Sequence, residues 1–366
     1  MKHYLAPGRT EIGGNHTDHQ HGCVIAAAVD LATTAEVTER TDDIIRVESD
    51  GFAPCEIRIG DWEKRPDEEG TTAALVRGVA AEFAAMGALL CGLDISASST
   101  VLPGSGLSSS AAFEVLLGRI FNELFFEGKA SPEQIAIIAQ KAENGYFGKP
   151  CGLMDQMASS IGGVVYMDFK DPGDPLIEKI DFDFEAYNLA VCIIDSGAGH
   201  EDLTAEYASI PAEMGSVAKF FGKEVLRDVD EAEFYKRIAE VRKACGDRAV
   251  MRAMHYFAET RRAANMATAL YEEDVSKFLE LVNASGMSSE TLLQNIKPTG
   301  STVHQELGFA LAIVKKILGT AGAARVHGGG FAGTVQAFVP LWLLPRFKTQ
   351  VEEVLGEGCC HVLKVK

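Results

Sequence analysis

The stretch LPGSGLSSSAAFEVLLGRIFNELF, residues 102–125, joins a glycine turn to a long apolar run with helical spacing. Gly104 and Gly106 let the backbone approach a ligand and take positive φ. Leu107, Ser108, Ser109 and Ser110 then lead into the helix. There the first N–H groups have no intrahelical partner, and the helix dipole favours negative charge, so the segment reads as an anion site. A serine cap after a glycine turn would explain one serine; three in a row after P-G-x-G-L exceed what a cap needs. No Gly-Lys-Ser/Thr follows, and the G-x-G-x-x-G dinucleotide fingerprint is also absent.

Working outward, GCVIAAAVDL (22–31) reads as a buried strand, and DDIIRVESDGFAPCEIRIGDW (42–62) as strands joined by a hairpin. TTAALVRGVAAEFAAMGALL (71–90) has helical spacing, and residues 94–101 form a strand that feeds the serine loop. Ser131-Pro132-Glu133 is a helix start: a cap, proline in the first turn, then an acid near the positive end. GGVVYMDF (162–169) and NLAVCIIDSG (188–197) are strand-like, residues 200–320 are mainly helical, and RVHGGGFAGTVQAFVP (325–340) is strand, glycine loop, strand. Strands and helices mix without regular alternation, which predicts an α+β fold rather than a doubly wound sheet. The length of 366 residues suggests two domains, cut near residue 176 into 1–176 and 177–366.

A formal net charge of −18 argues against nucleic-acid and anionic-membrane partners in bulk, though a small anion can still bind at clustered N–H groups. Eight cysteines without a C-x-x-C pair read as buried thiols in a reducing compartment. The amino terminus lacks an apolar signal core and no run approaches the ~20 apolar residues of a membrane span, so a cytoplasmic protein is expected.

NHTDHQHG, residues 15–22, is the second concentrated signal. His16, His19 and His21 with Asp18 permit a metal site; the same groups can line a pocket for a hydroxyl-rich molecule, because a carboxylate accepts from two neighbouring hydroxyls.

Four stretches together resemble the GHMP kinase family, and within it the galactokinases. LPGSGLSSSAA is similar to the ATP loop P-x-x-x-G-L-x-S-S-A. APGRTEIGGNHTDHQHG (6–22) is similar to the galactokinase signature. AENGYFGKPCGLMDQMASSIGG (142–163) resembles the segment around the catalytic aspartate, and RVHGGGFAGT (325–334) the third, glycine-rich motif. The resemblance implies an N-terminal domain like ribosomal protein S5 domain 2, with a left-handed βαβ crossover, and a ferredoxin-like C-terminal domain. It implies an ATP-dependent sugar 1-kinase, with galactose as the first substrate and ATP and Mg²⁺ as cofactor and metal. Asp155 and Arg9 would be catalytic. Gly104, Gly106, Leu107, Ser108, Ser109, Ser110, Gly328, Gly329 and Gly330 would hold the nucleotide. Asn15, His16, Asp18, Gly152 and Tyr207 would bind the sugar, and Ser110 and Glu143 the metal. The expected partners are small molecules only, with the protein a monomer.

The sequence departs from the family in places. Asn15 stands where galactokinases carry the glutamate that contacts the C6 hydroxyl, Glu11 where they carry asparagine, and His19 where they carry tyrosine. Thr72 and Leu75 replace the aromatic residues that pack adenine. The run DHQHG (18–22) resembles plant galacturonokinases, which makes a C6-modified hexose the alternative substrate; a non-catalytic sugar sensor is the minor one.

Overall fold

The computed structural model describes residues 1–101, 106–149, 151–199 and 203–366. The first half is β1 (Lys2–Gly13), β2 (Cys23–Glu39), β3 (Ile44–Ser49), β4 (Cys55–Arg58), α1 (Thr72–Ala85), β5 (Leu93–Ser99), α2 (Ser109–Phe125), α3 (Pro132–Ala142), α4 (Met154–Ile161), β6 (Val164–Asp168) and β7 (Leu176–Ile180). The long β2 organises these strands into one sheet. Its first residues pair with β6, its last with β5, and β1 pairs antiparallel along its other edge. The order is β4-β3-β5-β2-β6-β7, with β3 and β5 parallel. Helices α1–α3 cover the sheet around Val79, Phe83, Leu116 and Phe121.

The predicted helix start at Ser131 is a capping box. Ser131 Oγ accepts from Gln134 N at 3.3 Å, and the Gln134 side chain accepts from Ser131 N at 2.9 Å. The strand β1 is absent from the sequence-based expectation, and it contains Pro7 and Gly8. The strand absorbs them as an irregularity: register shifts between Pro7 and Arg9. Gly8 is needed there, since a Cβ would sit 2.9 Å from Leu107 O, and Arg9 N donates to that carbonyl at 3.0 Å. This close passage places Arg9 beside the serine loop.

The second half is β8 (Leu189–Asp195), α5 (Thr204–Phe220), α6 (Glu231–Lys236), α7 (Ile238–Cys245), α8 (Asp247–Tyr271), α9 (Val275–Ser288), α10 (Glu306–Leu318), β9 (Ala323–Val326), β10 (Thr334–Pro340), α11 (Leu344–Leu355) and β11 (Cys360–Leu363). Its four strands pair antiparallel in the order β11-β8-β10-β9. Strand, helices, two strands, helix, strand in that order is the ferredoxin-like arrangement. The expected cut at 176/177 falls within β7, whose residues pair with β6, so the first sheet continues to Ile180.

Past β11 the chain returns to the first sheet. Asp30 N donates to Lys364 O at 2.9 Å and Lys366 N to Ala28 O at 3.0 Å, on the part of β2 between the β6 and β5 pairings. Ile25, Tyr166, Met266, Phe278 and Phe338 share one core, so strands of both sheets pack with α8 and α9. All eight cysteines are free thiols, and no helix among the described residues is long and apolar enough to cross a membrane.

Candidate active site

Three segments meet at the start of α2. Arg9 on β1 places Nε and Nη2 each 2.7 Å from Asp155 Oδ1, and its Nη1 donates to Gly106 O. Ser108 donates its hydroxyl to the other oxygen, Asp155 Oδ2. Ser108 adopts φ 55°, an uncommon left-handed conformation for a residue with a side chain. Ser109 opens α2, and Asp155 lies in the first turn of α4. Arg9 is almost fully buried while the Asp155 side chain keeps 32% exposure, so the carboxylate stays open to solvent while its cation does not. Gly104, expected in the same loop, lies outside the described residues.

Beneath the loop is a second polar layer. Glu143 Oε1 accepts from Ser110 Oγ at 3.3 Å and from Lys149 Nζ at 3.1 Å. Its Oε2 accepts from Gln156 Nε2 at 2.8 Å, and the same amide nitrogen donates to Glu114 Oε2 at 3.1 Å. Burial, and then the charge of Glu143, push Glu114 well above the usual carboxylate range. One hydroxyl and one carboxylate oxygen 3.3 Å apart form a hard-oxygen set that suits Mg²⁺, an ion that keeps several waters and takes phosphate oxygens as further ligands.

Asp18 backs onto Gly152, where any Cβ would collide with Asp18 Oδ2. Burial and then the negative charge of Asp155 push Asp18 up to about 6. His16 Nε2 lies 3.0 Å from Gly329 O, and the Tyr207 hydroxyl donates to Gly330 O at 3.0 Å. Asn15 Nδ2 donates to Gly328 O at 2.6 Å. Three consecutive carbonyls of the glycine loop therefore meet three side chains expected at the sugar. Two of the loop's glycines leave no room for a side chain: a Cβ on Gly329 would lie 2.6 Å from Tyr207 Cε1, and one on Gly330 would run into Asn295 O.

These features have counterparts in known proteins. The GHMP kinases N terminal domain matches residues 74–163, and the galactokinase galactose-binding signature matches residues 3–39. The galactokinase of Actinobacillus succinogenes is 33% identical over 345 residues, covering 92% of this chain and 84% of that protein. The galactokinase of Mannheimia succiniciproducens is 32% identical over 350 residues, with 92% and 84% covered. This chain belongs to the galactokinase family. Its fold agrees with that of Lactococcus lactis galactokinase complexed with galactose, at a TM-score of 0.84 and 23% identity over 100% of this chain and 93% of that one. Methanococcus jannaschii mevalonate kinase follows at a TM-score of 0.67 and 16% identity, covering 100% and 98%.

Within this galactokinase-family site, one sequence-based assignment needs correction. Asn15 is 1% exposed and its amide is spent on protein partners. Nδ2 donates to Glu11 Oε1 at 3.1 Å as well as to Gly328 O, while Oδ1 accepts from Asn295 Nδ2 at 2.9 Å and Ser289 Oγ at 3.3 Å. A side chain with its donors and acceptor so engaged presents nothing to a sugar. Glu11 in turn is paired with Arg325, 2.5 Å away and 0% exposed.

Two of the three histidines of NHTDHQHG, His16 and His19, lie with ring centroids 5.6 Å apart, but the three do not share a ligand geometry. His16 turns to the glycine loop, the ring nitrogens of His19 are buried without a partner among the described residues, and His21 is a left-handed turn residue. No group of three or more histidine, cysteine or acidic side chains among the described residues is placed to hold a metal. Sequence reasoning missed Glu114, Gln156, Lys149, Arg325, His255 and Asn295. The first two carried a signal: Glu114 is one helical turn past Ser110, and Gln156 follows Asp155 directly. Lys149 and Arg325 lie inside motifs already singled out but carry no sign of their partners, and His255 and Asn295 come from distant segments.

Proposed function

We propose that this protein transfers the γ-phosphoryl group of ATP to the anomeric hydroxyl of galactose, giving galactose 1-phosphate and ADP. The observation that carries this reading is the Arg9–Asp155–Ser108 cluster at the N-terminus of α2. Asp155 accepts the proton of the attacking hydroxyl and orients it. Arg9, held within 2.7 Å of Asp155, stabilises charge on the group in flight, as do the N–H groups that open α2. Asp18, with Gly152 directly behind it, accepts from neighbouring sugar hydroxyls and sets the sugar's orientation. Ser110 and Glu143 are the residues that would hold the Mg²⁺ accompanying ATP, which would supply neutralisation of phosphate charge. His16 and Tyr207 brace the sugar wall through the glycine loop.

Relatives named galactokinase over 92% of the chain support galactose over a sugar carrying a C6 carboxylate. Retention of Ser108–Ser110 and Asp155 supports an enzyme over a sensor. Eight free thiols fit the reducing cytoplasm, where ATP is available. A panel of hexoses and uronic acids assayed by ADP release, with the phosphorylated carbon identified by NMR, tests the reading. Galactose should give the highest kcat/KM, with phosphate on C1. ADP release with other sugars but none with galactose would remove this substrate.

A further inference from the structure

We propose that Glu114 and Gln156 are positioning residues that fix the Glu143 carboxylate for the divalent cation; the inference rests on the kinase reading above. Gln156 is 0% exposed and stands next to Asp155 in α4. Its amide has two N–H protons, and Nε2 lies 2.8 Å from Glu143 Oε2 and 3.1 Å from Glu114 Oε2. One side chain thus ties α2, the end of α3 and α4 together, and each of these bears a working group: Ser110, Glu143 and Asp155.

The tether decides which oxygen of Glu143 faces the site. With Oε2 held from below, Oε1 turns to Ser110 Oγ, 3.3 Å away. Without it, the carboxylate is free to rotate toward the exposed Lys149, already 3.1 Å from Oε1. Glu114 holds Gln156 in turn, from one helical turn below Ser110. The arrangement is a poor device for stability alone. Two carboxylates share a buried space, and Glu114 Oε1 and Gln156 Oε1 are both buried without a partner among the described residues. An apolar floor of the same shape would avoid those desolvation costs. What it would not supply is a fixed orientation for Glu143.

The test compares wild type with Gln156→Met, Glu114→Leu and Glu114→Gln. Three readouts apply: Mg²⁺ dependence of turnover, Mn²⁺ binding by EPR in the presence of a non-hydrolysable ATP analogue, and thermal unfolding. Gln156→Met and Glu114→Leu should each raise the cation concentration for half-maximal effect by about tenfold in both the kinetic and the EPR titration. The KM for sugar should change less than about twofold. Glu114→Gln, which keeps shape and polarity, should recover most of that loss. The Gln156→Met/Glu114→Leu double variant should be no worse than the weaker single, because the two act as one unit. A folded Gln156→Met protein with wild-type cation dependence overturns the proposal. Should that variant not fold, Gln156→Asn, too short to span both carboxylates, takes its place with the same expected shift and the same overturning result. A wild type whose turnover needs no divalent cation would sink the kinase reading itself, whereas a cation-dependent wild type with unshifted variants sinks only this inference.

Discussion

Two arginine–carboxylate pairs grow from neighbouring positions of β1, and they have opposite characters. Arg9–Asp155 lies 2.7 Å apart with 7% and 32% side-chain exposure; Glu11–Arg325 lies 2.5 Å apart with 5% and 0%. In the first, one carboxylate oxygen is held by the arginine and the other by Ser108 at the start of α2, and the aspartate stays partly exposed. In the second, the glutamate also takes the Asn15 amide, and Arg325 donates to Ile12 O at 2.8 Å. Asn15 passes the network on to Asn295, Ser289 and the glycine loop, and its backbone carbonyl lies 2.9 Å from His255 Nε2. The ion-pair chemistry is the same. What separates the two pairs is exposure: only the first leaves its carboxylate open to a ligand.

The largest effect expected is on the open pair. Asp155→Asn should lower turnover by about 10² to 10⁴, the usual range for a general base, with nucleotide affinity and unfolding temperature close to wild type. Turnover within a few-fold of wild type, in a preparation free of host kinase, would remove Asp155 from the chemistry.

On the closed pair the loss should move from activity to stability. Arg325→Leu strands Glu11 as a buried, uncompensated charge and should cost about 3–5 kcal/mol in urea unfolding. Arg9→Leu should cost less stability, because its partner reaches water, and more activity. If the two variants lose stability equally, the distinction drawn between the pairs is wrong.

Asn15 sharpens the same contrast. Asn15→Glu places a carboxylate against Glu11 and the Gly328 carbonyl, where an N–H donor now sits, so it should destabilise by about 1–3 kcal/mol. Adding Glu11→Asn, which exchanges the two residues, should recover at least half. Recovery shows coupling between the sites; purely additive losses in a double-mutant cycle would contradict the network.

The smallest effects concern pH. Asp18, pushed up to about 6, should be ionised only above that value, so kcat/KM for the sugar should fall on the acid side near pH 6, and Asp18→Asn should abolish that limb. Its folded value lies above its unfolded one, so its contribution to stability is present at low pH and lost as pH rises through about 6. His255 acts oppositely: burial lowers it to about 4, so its contribution is present above the unfolded value near 6.5 and lost as pH falls through about 4. Asp18→Asn should therefore gain stability relative to wild type between pH 4 and 7, and His255→Gln should lose it over the same interval. Parallel curves for wild type and both variants would show that neither group titrates as described.

The sequence by itself determined whatever depends on residues a few positions apart. The serine loop, the Ser131 cap, the β3–β4 hairpin and the strand–glycine–strand unit near residue 330 were legible because alternation, helical spacing and turn chemistry are local. Asp155 and Arg9 were legible through motifs. Tertiary structure decided the rest. Strand β1, with Pro7 and Gly8 inside it, shows as a strand only once its pairing with β2 and its bond to Leu107 are seen. The boundary near 176 is invisible in composition, because β7 must find β6 before it counts as part of the first sheet. Above all, Asn15 carries a polar side chain inside a sugar motif, and nothing near it in the chain says whether it faces a ligand or a wall. Its answer comes from Gly328 and Asn295, and that of Glu11 from Arg325, 314 residues away. A buried polar group must be matched by a partner wherever the fold brings one, and sequence spacing holds no record of that partner.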